Sequence, residues 1–170
     1  GDGKKYGLSV DFSRDGGKLL GTGGAIKKAL PLLTDVFVVI YGDSYLNIDF
    51  HPVIDYFLRH SKKGLMTVFR NNNKWDKSNI IYKNGTIIAY DKNTSDTKMK
   101  YIDYGLSVLR KSAFDGIDKK KVFDFVELYK YLIQKKQMLG FEVKNRFYEI
   151  GSPQGLAETE EYFLKLSRNK

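Results

Sequence analysis

The sequence predicts an α/β fold: a Rossmann-like sandwich with a mixed, mainly parallel sheet and a β-hairpin insertion. Three observations carry this expectation. Segments with helical spacing alternate with short β-branched runs, as in a sheet covered by helices. The run VFVVIY, Val36 to Tyr41, is apolar throughout, which suits a strand covered on both faces in a parallel sheet. Asn84-Gly85 sits between two β-branched runs and supplies the positive φ angles of a type I′ hairpin turn. At 170 residues the chain forms one domain, residues 1–170, long enough for a real core.

Each element follows from local pattern. GTGGAIKKALPLL opens with glycines and continues as a short amphipathic helix, with Ala25, Ile26, Ala29, Leu30 and Leu33 opposite Lys27 and Lys28. It delivers the chain into the strand at Val36. HPVIDYFLRHSKKG is a helix with Pro52 in its first turn and Gly64 as its cap, and LMTVFR is the next strand. NIIYKNGTIIAYDK is the hairpin and YIDYGLSVLR a further strand. Phe125, Leu128, Tyr129, Leu132 and Ile133 recur at helical spacing in a helix expected to stop at Gly140. Short strands follow, and then a final helix with Ser152 as cap and Pro153 at its first position.

Composition narrows the function classes. There is no cysteine, which removes disulfides, thiolate metal sites and thiol nucleophiles, and the two histidines leave little imidazole for a metal. GDGKKYGLSV lacks the apolar core of a signal peptide, and no stretch approaches the roughly 18 apolar residues of a membrane span, so a cytoplasmic location without membrane partners is expected. The net charge of +9 raises the question of nucleic acid. The lysines, including the triplet Lys119, Lys120 and Lys121, form no basic stripe with interleaved aromatics, so nucleic acid is not the expected partner. A generally basic surface also favours small phosphorylated substrates.

Four stretches could carry chemistry. Asp43 follows the Val36 strand in YGDS. In open α/β sheets ligands meet the carboxyl ends of strands, so a metal or ribose contact competes there with a turn aspartate. LGTGGA places Gly21, Gly23 and Gly24 before a helix, where bare N–H groups could meet a nucleobase, ribose or phosphate. It is neither a Walker loop nor a dinucleotide fingerprint. Lys92 ends a hairpin strand, where an ammonium could hold a phosphate or merely be solvated. Glu149 is a second carboxylate at an element boundary; the alternative is a surface glutamate near a helix start.

In their order, LLGTGGAIKKALPLL, VFVVIYGDSYL, SNIIYKNGTIIAYDK, YIDYGLSVL and RFYEIGSPQGLAETEEYF resemble the sugar-1-phosphate nucleotidyltransferases nearly end to end. That family includes glucose-1-phosphate thymidylyltransferases and mannose-1-phosphate or heptose-1-phosphate guanylyltransferases. The resemblance implies magnesium-dependent attack of a sugar 1-phosphate on the α-phosphorus of a nucleoside triphosphate, giving a nucleotide sugar and pyrophosphate. It implies a role for Asp43 as metal carboxylate and for Gly21, Thr22, Gly23 and Gly24 beside the nucleobase and ribose. Lys92 matches the lysine that holds the sugar phosphate, and Asp91, Asp103 and Gly105 fall at the sugar. Glu149 falls on the second metal carboxylate, where the family usually has aspartate in DIGTP; the extra methylene changes the reach to the Mg²⁺. A homo-oligomer is left open.

One departure stands out. The family's Gly-x-Gly-[Ser/Thr]-Arg loop with its downstream Pro-Lys is absent. GDGKKYGLSVDFS resembles the stretch after the second strand of such enzymes, which implies a strand at Leu8 to Phe12 and roughly 60 upstream residues, about two strand-helix units, that are expected to be missing. Two readings follow: a fragment of an active nucleotidyltransferase, or a non-catalytic nucleotidyltransferase-like domain that binds a nucleotide sugar or a partner chain. A glycosyltransferase with Gly-Asp-Ser as its metal carboxylate is weaker, since it leaves YEIGSP without a role.

Overall fold

A computed structural model describes residues 2–93, 96–117 and 122–168; the Lys119, Lys120 and Lys121 triplet lies outside them. In chain order the elements are α1 (Gly21–Ala29), β1 (Val36–Ile40), β2 (Ser44–Leu46), α2 (His51–Leu58), β3 (Gly64–Arg70), β4 (Ile80–Lys83), β5 (Thr86–Tyr90), β6 (Tyr101–Arg110), α3 (Phe125–Gln134), β7 (Met138–Val143), β8 (Phe147–Glu149) and α4 (Pro153–Arg168). Short 3₁₀ segments occupy Lys4–Tyr6, Leu30–Leu32 and Lys111–Ile117.

The main sheet is mixed, with strand order β1-β6-β3-β7-β5-β4. Strands β1, β3 and β7 share one direction, yet β6 inserts antiparallel between β1 and β3, so β3 and β7 are the parallel neighbours. The parallel character expected from the helix–strand alternation therefore survives in strand direction, while most ladders are antiparallel. β4 and β5 form the hairpin expected around Asn84 and Gly85, whose φ angles are +47° and +78°. It joins the sheet edge through β7.

Helices cover both faces. On one, Phe125, Leu128, Tyr129 and Leu132 of α3 pack with Met66, Val68 and Leu109, and Ile26 of α1 joins them. On the other, Val53 and Phe57 of α2 pack on Leu65, Leu106 and Val108. Two amphipathic helices thus bury opposite faces of one sheet, the arrangement that removes most apolar area from water. α3 starts where Asp124 caps it, accepting from the Val126 N–H at 2.9 Å.

Several expectations are corrected. Val36 to Tyr41 is not covered on both faces: β1 is an edge strand paired with β6, and Val38 and Ile40 are exposed. The doubly covered strands are β3 and β6, whose burial is nearly continuous. Composition alone does not separate the two cases, because edge position is a long-range property. Leu8 to Phe12 forms no strand; Leu8 and Phe12 are exposed and no ladder partner is present among the described residues. Gly64 is the first residue of β3, not a cap: a Cβ there would lie 2.8 Å from Met138 Sδ and 2.9 Å from Leu132 Cδ1, so the glycine permits close packing. Gly140 likewise sits inside β7, with a Cβ there 2.6 Å from the Tyr82 ring. α3 ends earlier, at Gln134.

A second, two-stranded sheet joins β2 to β8, pairing Ser44 with Glu149. Helix α4 covers it, with Tyr162 stacked on Tyr148 at 4.2 Å and Phe163 edge-on to Tyr45 at 4.8 Å. The Arg146 guanidinium lies 3.5 Å over the Trp75 ring, faces Tyr148 and pairs with Glu158, tying the loop before β4 to this small sheet.

Candidate active site

The small sheet brings the two predicted metal carboxylates together. Asp43 lies in the turn between β1 and β2, closed by the Ser44 N–H donating to the Tyr41 carbonyl at 3.3 Å. The Ile150 N–H donates to the Asp43 carbonyl at 3.0 Å, extending the ladder past Glu149. A Cβ on Gly151 would lie 3.2 Å from Glu149 Oε2 and 3.4 Å from Asp43 Oδ2, so both carboxylates border one small space.

Their states differ. Asp43 is exposed, and Ser44 Oγ donates to its Oδ1 at 3.3 Å. Glu149 curls over the start of α4: its Oε2 accepts from the N–H groups of Gly151 at 2.7 Å and Ser152 at 3.1 Å, and its Oε1 accepts from Ser152 Oγ at 2.6 Å. The carboxylate fills the place a Gly155 Cβ would take, which explains glycine there. Ser152 Oγ accepts from the Gly155 N–H at 2.9 Å, the expected cap. Among the described residues no three His, Cys, Asp or Glu side chains gather to hold a metal. Mg²⁺ is often bound by only one or two carboxylates plus substrate phosphates and water. Asp43 and Glu149 fit that donor set.

Next to the carboxylates opens a cleft of about 190 Å³, lined in part by Tyr41, Ser44, Asn79, Tyr90, Lys92, Asp103 and Gly105. Lys92, Asp103 and Gly105 therefore converge as the sequence suggested. Asp103 is half-buried on β6; its Oδ1 accepts from the Gly105 N–H at 3.0 Å, and Gly105 adopts φ +97° to make that turn. Burial pushes the Asp103 carboxyl up to about 6, although the Gly105 N–H, the Lys92 ammonium and the Tyr90 hydroxyl all favour its charged form. Burial also raises the Tyr41 hydroxyl well above its ordinary value, helped by the Asp103, Asp124 and Asp43 charges.

Other predicted residues lie elsewhere. Asp91 is not part of the cleft lining; its Oδ1 accepts from the Asn93 N–H and lies 3.7 Å from Lys130 Nζ of α3. Gly21, Thr22, Gly23 and Gly24 form the first turn of α1 itself and also lie away from the cleft lining. The Gly23 and Gly24 N–H groups both donate to the Phe123 carbonyl, at 3.1 and 3.2 Å, and Thr22 Oγ1 accepts from the Phe125 N–H at 2.9 Å. These glycines let α1 approach the Phe123 segment: a Cβ on Gly21 would lie 2.5 Å from the Phe123 carbonyl oxygen, and the Phe123 ring occupies the place of a Gly23 Cβ.

Sequence reasoning missed Tyr90, Tyr41, Ser44 and Asn79. Tyr90 is the last residue of β5, and Asp91 and Lys92 lie past the strand end, so the alternation of a strand gave no signal for which of them faces the cleft. The other three come together through tertiary pairing.

No family model matches the chain. It is 26% identical over 172 residues to mannose-1-phosphate guanyltransferase 2 of Candida glabrata, covering 97% of this chain and 47% of that protein. It is 29% identical over 154 residues to D-glycero-alpha-D-manno-heptose 1-phosphate guanylyltransferase of Aneurinibacillus thermoaerophilus, covering 87% and 64%. Thus the chain spans about half to two thirds of the length of these relatives. Its fold superposes with TM-score 0.79 on a chain assigned as a glucose-1-phosphate thymidylyltransferase from Bacillus anthracis, solved with sucrose, at 17% identity over 93% of this chain and 66% of that one. It superposes with TM-score 0.68 on HddC from Yersinia pseudotuberculosis, complexed with GMP-PN, at 23% identity over 86% of this chain and 64% of that one. In sequence the chain is similar to sugar-1-phosphate guanylyltransferases, and its fold is that of solved sugar-1-phosphate nucleotidyltransferase structures.

Proposed function

We propose that this chain carries the sugar-phosphate half of a sugar-1-phosphate nucleotidyltransferase site, and that the protein makes a nucleotide sugar and pyrophosphate from a sugar 1-phosphate and a nucleoside triphosphate. The observation that carries this reading is the convergence of Lys92, from the bend after β5, with Asp103 and Gly105 of β6 on one cleft that Ser44 joins to the Asp43 and Glu149 carboxylates. The named activities of the two relatives, and the GMP-PN bound to HddC, support it.

In the reaction, an oxygen of the sugar phosphate forms a bond to the α-phosphorus, the α–β phosphoanhydride bond breaks, and pyrophosphate leaves. Lys92 offers an ammonium to the sugar phosphate, and among the described residues it makes no salt bridge that would compete. Asp103 and the Gly105 backbone border the sugar. Asp43 and Glu149 would hold a Mg²⁺, which when bound supplies charge neutralisation on the phosphates. The exposed Gly21 and Thr22 are the part of the glycine segment left for the nucleotide, since the next two N–H groups are occupied. The rest is positioning, which suits direct transfer between two bound substrates.

The test is pyrophosphate release from GTP, dTTP, UTP or CTP with mannose 1-phosphate or glucose 1-phosphate and Mg²⁺, with calorimetric binding of each sugar phosphate in parallel. Release with at least one pair, abolished by EDTA, is expected. Neither release nor sugar-phosphate binding for any pair would overturn the proposal.

A further inference from the structure

Two tyrosines that line the cleft, Tyr90 and Tyr104, carry hydroxyls without a hydrogen-bond partner among the described residues, and that of Tyr90 stands beside the Asp103 carboxylate. Tyr90 is 4% exposed, lines the cleft, and its Oη has no hydrogen-bond partner among the described residues. Buried hydroxyls in native proteins are rarely left so. The ring is held firmly: it packs edge-on against Tyr129 at 5.8 Å, and Tyr129 is fixed by a 2.7 Å hydrogen bond with Ser107 and by the Phe125 ring at 4.5 Å. Rotation toward another partner is therefore blocked by packing. The hydroxyl stands beside the Asp103 carboxylate, close enough to favour its charged form, yet outside hydrogen-bond geometry.

Asp103 is also only half used. Its Oδ1 accepts from the Gly105 N–H and its own N–H donates to Asn79 Oδ1 at 3.4 Å, which leaves the nearby Tyr90 hydroxyl as the other donor beside the carboxylate. An unspent donor and an unspent acceptor thus face the same cleft, with Lys92 beside them. A hydroxyl group both accepts and donates, so one alcohol satisfies both at once. Tyr104 also lines the cleft, but its hydroxyl lies beside the Asn47 backbone and the aromatics of the small sheet, not beside Asp103.

We infer that Tyr90 and Asp103 read a single hydroxyl of the sugar, Tyr90 donating to its oxygen and Asp103 accepting its proton, which makes Tyr90 a specificity-determining residue. The inference rests on the nucleotidyltransferase reading above. It adds Tyr90, in place of Asp91, as the β5 residue that inspects the sugar ring, and it explains why the fold keeps a hydroxyl that phenylalanine would otherwise replace without loss.

The experiment compares the parent chain with Tyr90→Phe in two measurements. In ligand-free thermal unfolding the variant should melt at or above the parent Tm, because the deleted hydroxyl has no partner to lose. In binding and turnover, mannose 1-phosphate and glucose 1-phosphate are compared with their monodeoxy analogues. The parent should discriminate against one deoxy position by roughly tenfold or more, and Tyr90→Phe should reduce that ratio to about threefold or less while the nucleotide KM stays unchanged. A Tm lowered by several degrees with every deoxy preference retained would show a structural tyrosine and overturn the inference alone. A Tm at or above that of the parent with every deoxy preference retained would also overturn it. If the parent neither binds any of these sugar phosphates nor releases pyrophosphate, the nucleotidyltransferase reading fails and this inference with it.

Discussion

Ser44 lies directly across from Glu149 in the antiparallel pairing of β2 with β8, and that register places Asp43 and Glu149 beside each other although 105 positions separate them in the chain. Two carboxylates in one space repel unless a cation or a set of N–H donors balances them. Here Glu149 has the donors, and among the described residues the Asp43 carboxylate has none but a serine hydroxyl.

The first prediction follows from that asymmetry. Asp43→Asn should leave thermal stability within a few degrees of the parent, since Asp43 is exposed and makes one long hydrogen bond. Nucleotide-sugar formation should fall by about a hundredfold or more, because removing one carboxylate from a metal site costs several kcal/mol of charge stabilisation. Turnover within a few-fold of the parent would remove Asp43 from the site.

Glu149→Gln should behave differently. It weakens three bonds to the start of α4, so stability should drop by about 1–2 kcal/mol, in the range of losing a helix cap. Activity should fall too. Chemical denaturation of the two variants side by side separates the roles: equal stability losses would contradict the capping geometry.

Lys92→Ala should raise the KM for sugar 1-phosphate much more than the KM for the nucleoside triphosphate. The ammonium meets one substrate, and a charge-assisted hydrogen bond to phosphate is worth about 1.5–3 kcal/mol, or roughly ten- to a hundredfold. Initial-rate kinetics with each substrate varied in turn decides it; equal effects on both would mark a structural lysine.

Asp103 gives a pH signature. Its carboxyl titrates at about 6 in the folded chain against an ordinary value of 3.8, so the folded state holds the proton more tightly than the unfolded one. This stabilisation is complete below about 4 and is lost as pH rises through about 6. Asp103→Asn should therefore be flatter than the parent between pH 4 and 6.5 and more stable above it, by up to about 3 kcal/mol. Urea melts across that range measure the difference. A parent curve parallel to that of the variant would show that burial does not raise this carboxyl.

The sequence alone determined what is local. Hydrophobic spacing marked α2 and α3, Asn84-Gly85 marked the hairpin, Pro153 after Ser152 marked the start of α4, and residue type at element ends singled out Asp43, Lys92 and Glu149 as candidates, with Asp103 added by the family resemblance. Each of these signals lies within a few residues of what it specifies, since capping, turn angles and amphipathic faces are short-range properties. Tertiary structure decided the rest. Whether Val36 to Ile40 is central or at an edge depends on β6, which comes about seventy residues later and inserts antiparallel beside it. Whether Gly23 and Gly24 present free N–H groups depends on the Phe123 carbonyl, and whether Asp91 or Tyr90 faces the cleft depends on how β5 docks against α3. A backbone donor satisfied by a distant acceptor, and a side chain turned by the packing of its own strand, leave no mark in the local sequence, because the energy that fixes them comes from contacts formed only when the whole sheet closes.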